Sequence, residues 1–187
     1  MRLFVALDFP EEVRWKLLGL VAQLKSQFPE TRWVRPEEMH VTLKFIGHVD
    51  EQKAESIAAA LKEVHTSRLV DMTFRGVGFF PNERRPRIVW CGVEASRNLG
   101  ELAAKIDHAL EPLGVETEPR AYAPHLTIAR LKSSEGAGML VRAASELKSQ
   151  DFGTARESEF HLFESVLKPS GAEHKRLQTY PFVQGAP

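Results

Sequence analysis

Two short segments carry the residue types of metal-free acid–base chemistry: His40-Val41-Thr42-Leu43 and His125-Leu126-Thr127-Ile128. On a β-strand, residues i and i+2 share a face. Each histidine therefore projects beside its threonine, while Val41, Leu43, Leu126 and Ile128 turn to the core. Histidine titrates near neutrality, so of two facing rings one can be neutral and the other protonated at working pH. The neutral ring takes a proton from an attacking water, and the protonated ring gives one to the leaving oxygen. The hydroxyls of Thr42 and Thr127 can donate hydrogen bonds to non-bridging phosphate oxygens as charge shifts in the transition state. A strained cyclic phosphate suits such a pair, because its leaving alkoxide needs protonation and little else.

One His-x-Thr is a weak signal. With the histidines and threonines of this chain, roughly 0.3 matches arise by chance. The second match is informative because of where it lies. A shift of 85 positions carries His40 onto His125, Thr42 onto Thr127, Val41 onto Leu126 and Leu43 onto Ile128. The same shift lays Leu3–Pro10 over Ile88–Ala95. Strand falls on strand and helix on helix, which predicts two copies of a strand–helix–strand unit whose equivalent strands meet at a shared cleft.

The positioning elements follow from periodicity. Arg2–Asp8 reads as a strand, and a helix from Pro10 to about Gln27 puts Val13, Leu17, Leu20 and Leu24 on one stripe. Trp33–Val34 is a short strand, Arg35-Pro36 a turn, and His40–Ile46 a strand ended by Gly47. Glu51–Val64 is helical, and Leu69–Phe80 is a strand or hairpin broken at Gly76 and Gly78. In the second half, Ile88–Val93 and His125–Leu131 are strands, and Leu99–Leu113 and Glu135–Leu147 are helices. Phe160–Leu167 and Thr179–Val183 close the fold, with a turn expected at Pro169–Lys175.

Composition narrows the function classes. The 25 basic and 25 acidic residues balance, which excludes a protein that coats nucleic acid non-specifically but not a local basic cleft. Cys91 is the only cysteine, so neither an intramolecular disulfide nor a multi-cysteine zinc site is available; it reads as a buried small hydrophobe. The apolar start is broken by Asp8, and no stretch approaches a membrane span. A cytoplasmic monomer without membrane contact is the expectation. No His-x-His, His-Glu-x-x-His or Asp-rich ligand spacing is present, and neither a metal nor a cofactor is expected.

Other residues each carry two readings. Arg130, three residues after Thr127, sits on the opposite strand parity; a bulge or strand end would swing it to the phosphate, and otherwise it is a solvated arginine. Lys44 shares the nominal face of His40 and Thr42, as an RNA-backbone ligand or a solvated lysine. Arg84, Arg85 and Arg87 form a solvated loop or a track for RNA phosphates. Phe79 and Phe80 read as core or as base-stacking platforms.

The segments HVTLKFIG and PHLTIAR resemble the paired motifs of the two-histidine (2H) phosphoesterase superfamily. The opening RLFVALDFP, the segment RPRIVWCGV and the ending FESVLKPSGAEHKRLQTYPF resemble its LigT-like RNA 2′,3′-cyclic phosphodiesterase branch. The resemblance spans nearly the whole chain. It implies an α+β fold in which two antiparallel sheets flanked by helices form a bilobal, pseudo-two-fold arrangement around a central cleft, as a single 2H domain of two intertwined lobes over residues 1–187. It implies metal-independent hydrolysis of RNA 2′,3′-cyclic phosphate ends to a 2′-phosphate, with His40 as proton donor and His125 as acceptor. After the Pro-Ser-Gly turn the family often has a tyrosine where His174 stands here, and no role is assigned to His174.

Rival readings remain at this level. The same site run backwards would join RNA ends through a 2′–5′ linkage. A module that recognises an RNA end or nucleotide without chemistry would need only donors, which arginine or lysine supplies better than a histidine pair. A metal hydrolase lacks its ligand spacings.

Overall fold

The computed structural model describes residues 1–66, 68–168 and 171–182. Its elements alternate as the repeat requires. The first half contains β1 (Arg2–Leu7), α1 (Glu11–Gln27), β2 (Arg32–Trp33), β3 (Val41–His48), α2 (Glu51–Lys62) and β4 (Val70–Phe80). The second contains β5 (Ile88–Ala95), α3 (Asn98–Leu110), β6 (His125–Arg130), α4 (Gly138–Ser145), β7 (Asp151–Glu157), β8 (Glu159–Lys168) and β9 (Gly171–Pro181). The helices form where apolar stripes recur. Val13, Leu17, Leu20, Val21 and Leu24 of α1 are buried, and Glu11 and Glu12 in its first turn complement the helix dipole. Asp50 caps α2 by accepting from the Lys53 N–H.

The strands form two antiparallel sheets, ordered β3-β1-β8-β9 and β2-β6-β5-β4-β7. The halves exchange strands: β4, from the first half, pairs with β5 in the second sheet, and β8, from the second half, pairs with β1 in the first sheet. One hydrophobic cluster joins the core faces of both sheets and the buried sides of the helices. The fold is α+β, with two antiparallel sheets flanked by helices.

The register of the repeat differs from the overlay of Leu3–Pro10 on Ile88–Ala95. Thr42 pairs with Ala6, whereas Thr127 pairs with Trp90, so β1 and β5 correspond by a shift of 84. Strand parity requires this. Leu3, Val5 and Leu7 belong to the core, as do Val89, Cys91 and Val93, and an odd shift would turn one of these sets to the other face.

Several elements depart from their expected bounds. β3 continues through Gly47 to His48, because Ile46 is an extra residue opposite Leu3 and Phe4 and the strand resumes beyond it. β4 is one strand rather than a hairpin. Gly76 is its bulge residue at φ +72°, where a Cβ would lie 2.4 Å from the Lys148 carbonyl oxygen. α4 is shorter than expected, and the strand β7 is not foreseen by spacing, since only Phe152 and Ala155 of its seven residues are buried. β9 starts at Gly171 instead of Thr179, so Lys175 is strand rather than turn. It is an edge strand rich in polar residues, which hides the alternation expected of a strand. Pro169 and Ser170 of the expected turn, and Val183, lie outside the described residues.

Candidate active site

The two His-Thr pairs converge on one cavity of about 620 Å³ between the sheets, lined by His40, Thr42, His125 and Thr127. His40 immediately precedes β3 and His125 opens β6. Each ring is braced by an aromatic from the strand that the other half contributes. Phe80 of β4 meets His125 edge-on at 4.9 Å, and Phe163 of β8 packs against His40 at 4.5 Å. The Tyr122 hydroxyl donates to the Thr42 carbonyl at 3.0 Å, tying the segment before β6 to the first motif.

The two imidazoles stand in different surroundings. His125 Nδ1 lies 2.8 Å from the Ala123 carbonyl oxygen. A carbonyl only accepts, so Nδ1 carries the proton and Nε2 of the neutral ring keeps its lone pair. His40 Nδ1 faces another ring nitrogen, Nδ1 of His174, at 3.3 Å. Burial lowers the pKa of His40 to about 4, aided by the positive charge that His174 can carry and opposed by Asp8.

β-Bulges decide which further residues reach the cavity. In β6, Ala129 pairs with Val89 and Thr127 with Trp90, leaving Ile128 as the extra residue. Parity flips there, and Arg130 lines the cavity, which the sequence allowed only through a bulge or strand end. Arg32 stands opposite Arg130 in the β2–β6 ladder, and Arg2 lines the same cavity. Burial and the charges of Arg32 and Arg2 hold the Arg130 pKa below the usual guanidinium value. Glu38, also on the wall, is paired with Arg35 at 2.7 Å.

The equivalent bulge in β3 removes Lys44 from the site. Lys44 pairs with Val5 and Thr42 with Ala6, leaving Leu43 extra. Lys44, expected on the face of His40, is instead 7% exposed, bonded to Asp107 of α3 and to the Glu116 carbonyl. Phe45 takes its place, 64% exposed and lining the cavity. Sequence reasoning missed Phe45, Arg2 and Arg32. The first needs the bulge to be seen, and the other two are lone arginines on separate strands.

The remaining candidates lie elsewhere. Arg84 and Arg85 are exposed with main-chain N–H groups bonded to Asn82, Arg87 donates to the Lys132 carbonyl at 2.6 Å, and none of the three lines the cavity. Phe79 belongs to the core. Cys91 is buried, which pushes its thiol up to about 12. Among the described residues, no three His, Cys, Asp or Glu side chains converge as metal ligands, and no helix is long and apolar enough to cross a membrane.

Residues 7–90 and 92–172 match the family described as LigT like Phosphoesterase. An RNA 2′,3′-cyclic phosphodiesterase of Archaeoglobus fulgidus is 36% identical over 181 residues, spanning 96% of this chain and 99% of that one. One of Thermotoga maritima is 31% identical over 99% of this chain and 97% of its own. Among solved structures, the protein TT0787 of Thermus thermophilus superposes with a TM-score of 0.82 at 26% identity, covering both chains fully. LigT of E. coli, solved with 3′-AMP, shares the fold with a TM-score of 0.80 at 24% identity, over 98% of each chain.

Proposed function

This chain belongs to the LigT-like phosphoesterases, and from that premise we propose that it hydrolyses RNA 2′,3′-cyclic phosphate ends to 2′-phosphomonoesters by two-histidine acid–base catalysis. The observation that carries the reading is the meeting of His40, Thr42, His125 and Thr127 on one cavity whose wall also holds Arg130. His125 acts as base. Its Nδ1–H is committed to Ala123, so Nε2 is left to take a proton from water as the oxygen attacks phosphorus. His40 acts as acid, protonating the 3′ oxygen as its bond to phosphorus breaks. A bound phosphate anion favours a positive charge beside it, which offsets the burial that disfavours a proton at His40.

Thr42 and Thr127 donate to the non-bridging oxygens, Arg130 neutralises the phosphate, and Arg2 and Arg32 bind the RNA backbone. Phe45 offers an exposed ring on which the terminal base stacks. The catalytic unit is residues 1–187 as a single 2H domain of two intertwined lobes, acting as a cytoplasmic monomer on RNA 3′ ends.

The test is hydrolysis of an oligoribonucleotide with a 2′,3′-cyclic phosphate in EDTA, for wild type, His40→Ala and His125→Ala. The expected result is a 2′-phosphate product and a loss of at least ~100-fold in each variant. A wild type that binds the RNA end without opening the ring would overturn the proposal in favour of a recognition module.

A further inference from the structure

His174 belongs to neither His-x-Thr motif, yet its ring centroid lies 5.2 Å from that of His40. It sits on the edge strand β9 opposite Ser165, with its ring edge-on to Phe4 at 4.8 Å. It lines the main cavity and also a second one, of about 470 Å³, on whose wall His40, Asp8, Arg14 and Arg176 stand. His40 and His174 thus bridge two openings.

The two halves differ at one atom pair. Each motif histidine has the main-chain carbonyl two residues upstream as a partner, Ala123 for His125 and Glu38 for His40, and His40 adds a second, with its Nδ1 at 3.3 Å from Nδ1 of His174. Two ring nitrogens at that separation can hold one proton between them, with either as the donor. We propose that His174 is a positioning residue that shares a proton with His40 and resupplies it while the ring opens. This rests on His40 being the acid of the proposed reaction.

In the step, the 3′ oxygen–phosphorus bond breaks and its electron pair goes to the oxygen, which takes the Nε2 proton of His40. His40 Nδ1 takes the Nδ1 proton of His174. His174 passes from imidazolium to imidazole, and His40 is neutral before and after, having changed only which nitrogen bears hydrogen. His174 then regains a proton from solvent through the second cavity. The arrangement keeps the positive charge off the more deeply buried ring, where burial disfavours it. The neighbours of the pair are mixed in sign. Burial lowers the pKa of His174 too, though it is the less buried of the two rings; Asp8 and Glu38 favour the cation, while Arg14, Arg2 and Arg35 oppose it, and Arg176 borders the second cavity.

The experiment is the pH profile of kcat for wild type, His40→Ala, His174→Gln and His174→Tyr on a cyclic-phosphate oligonucleotide. Removing the second proton site moves the basic limb to lower pH by about 1 unit in both His174 variants, with KM unchanged. Tyrosine restores the packing but cannot hold the charge, so it does not restore the limb. A uniform fall in kcat with the limb unmoved assigns His174 to packing alone and overturns the proposal. A limb moved to higher pH means that His174 only repels charge from His40, which also overturns it. An active His40→Ala would instead defeat the proposed function itself. Should the variants not fold, ¹⁵N shifts of the wild-type imidazoles decide. Nδ1 atoms that titrate together support the shared proton, and a His174 neutral throughout the active pH range excludes it.

Discussion

Leu43 and Ile128, 85 positions apart, are each the extra residue of a β-bulge directly after the threonine of a His-x-Thr motif. The side-chain face flips at the same point in both halves. The residue after each bulge, Lys44 or Ala129, is buried, and the next, Phe45 or Arg130, turns to the cavity. One wall of the cleft is therefore aromatic and the other cationic, which suits a substrate with a base at one end and a phosphate at the other.

Lys44→Ala tests the placement of the lysine. Its partner Asp107 is only 23% exposed in its side chain, and removing one member of a largely buried pair leaves the other uncompensated. A stability loss of about 3 kcal/mol, the low end for a buried pair, is expected in urea unfolding. KM for the cyclic phosphate stays unchanged in the folded variant; a raised KM would return Lys44 to the binding surface.

Arg130→Ala raises KM roughly ten- to hundredfold, the size of a hydrogen bond to a charged group. Arg130→Lys recovers little, because an ammonium cannot bind two phosphate oxygens as a planar guanidinium does. Steady-state kinetics on both variants, with thermal melts as the folding control, check this.

Phe45→Ala weakens binding by about 1–3 kcal/mol, the range of base–aromatic stacking, seen in KM. A ribose 2′,3′-cyclic phosphate lacking a base is the control. Its kinetics are the same in the variant and the wild type, and an equal loss on both substrates would remove the stacking role.

The low pKa of His40 has a consequence for acid stability. The folded protein binds that proton only near pH 4, whereas the unfolded chain binds it near the ordinary value of 6.5. Between these values the unfolded state holds more protons, so stability is lost as pH falls through this window, by up to about 3 kcal/mol. His40→Gln removes that slope, and unfolding midpoints at pH 4.5 and 7.5 measure the difference between the variant and wild type.

What the sequence made legible is what period alone encodes. The stripe of α1 and the shared face of His40 and Thr42 follow from spacings of 3.6 and 2. The bulges have no residue signature, so spacing alone puts Lys44 on the wrong face and passes over Phe45. The edge strand β9 carries Glu173, His174, Lys175 and Arg176 in succession. Such a run looks like a turn until β8 pairs with it, and only that pairing brings His174 to His40.

The exchange of β4 and β8 makes the chain's two halves a lock in which each holds part of the other's key. A cut in the exposed Asn82–Arg85 loop would separate β4 from the sheet it completes and leave each piece with one histidine lacking its aromatic brace. Neither piece alone can rebuild a whole sheet. Mixed together, they regain both sheets and the cleft between them in one event, so that reassembly and the return of a paired site are the same measurement.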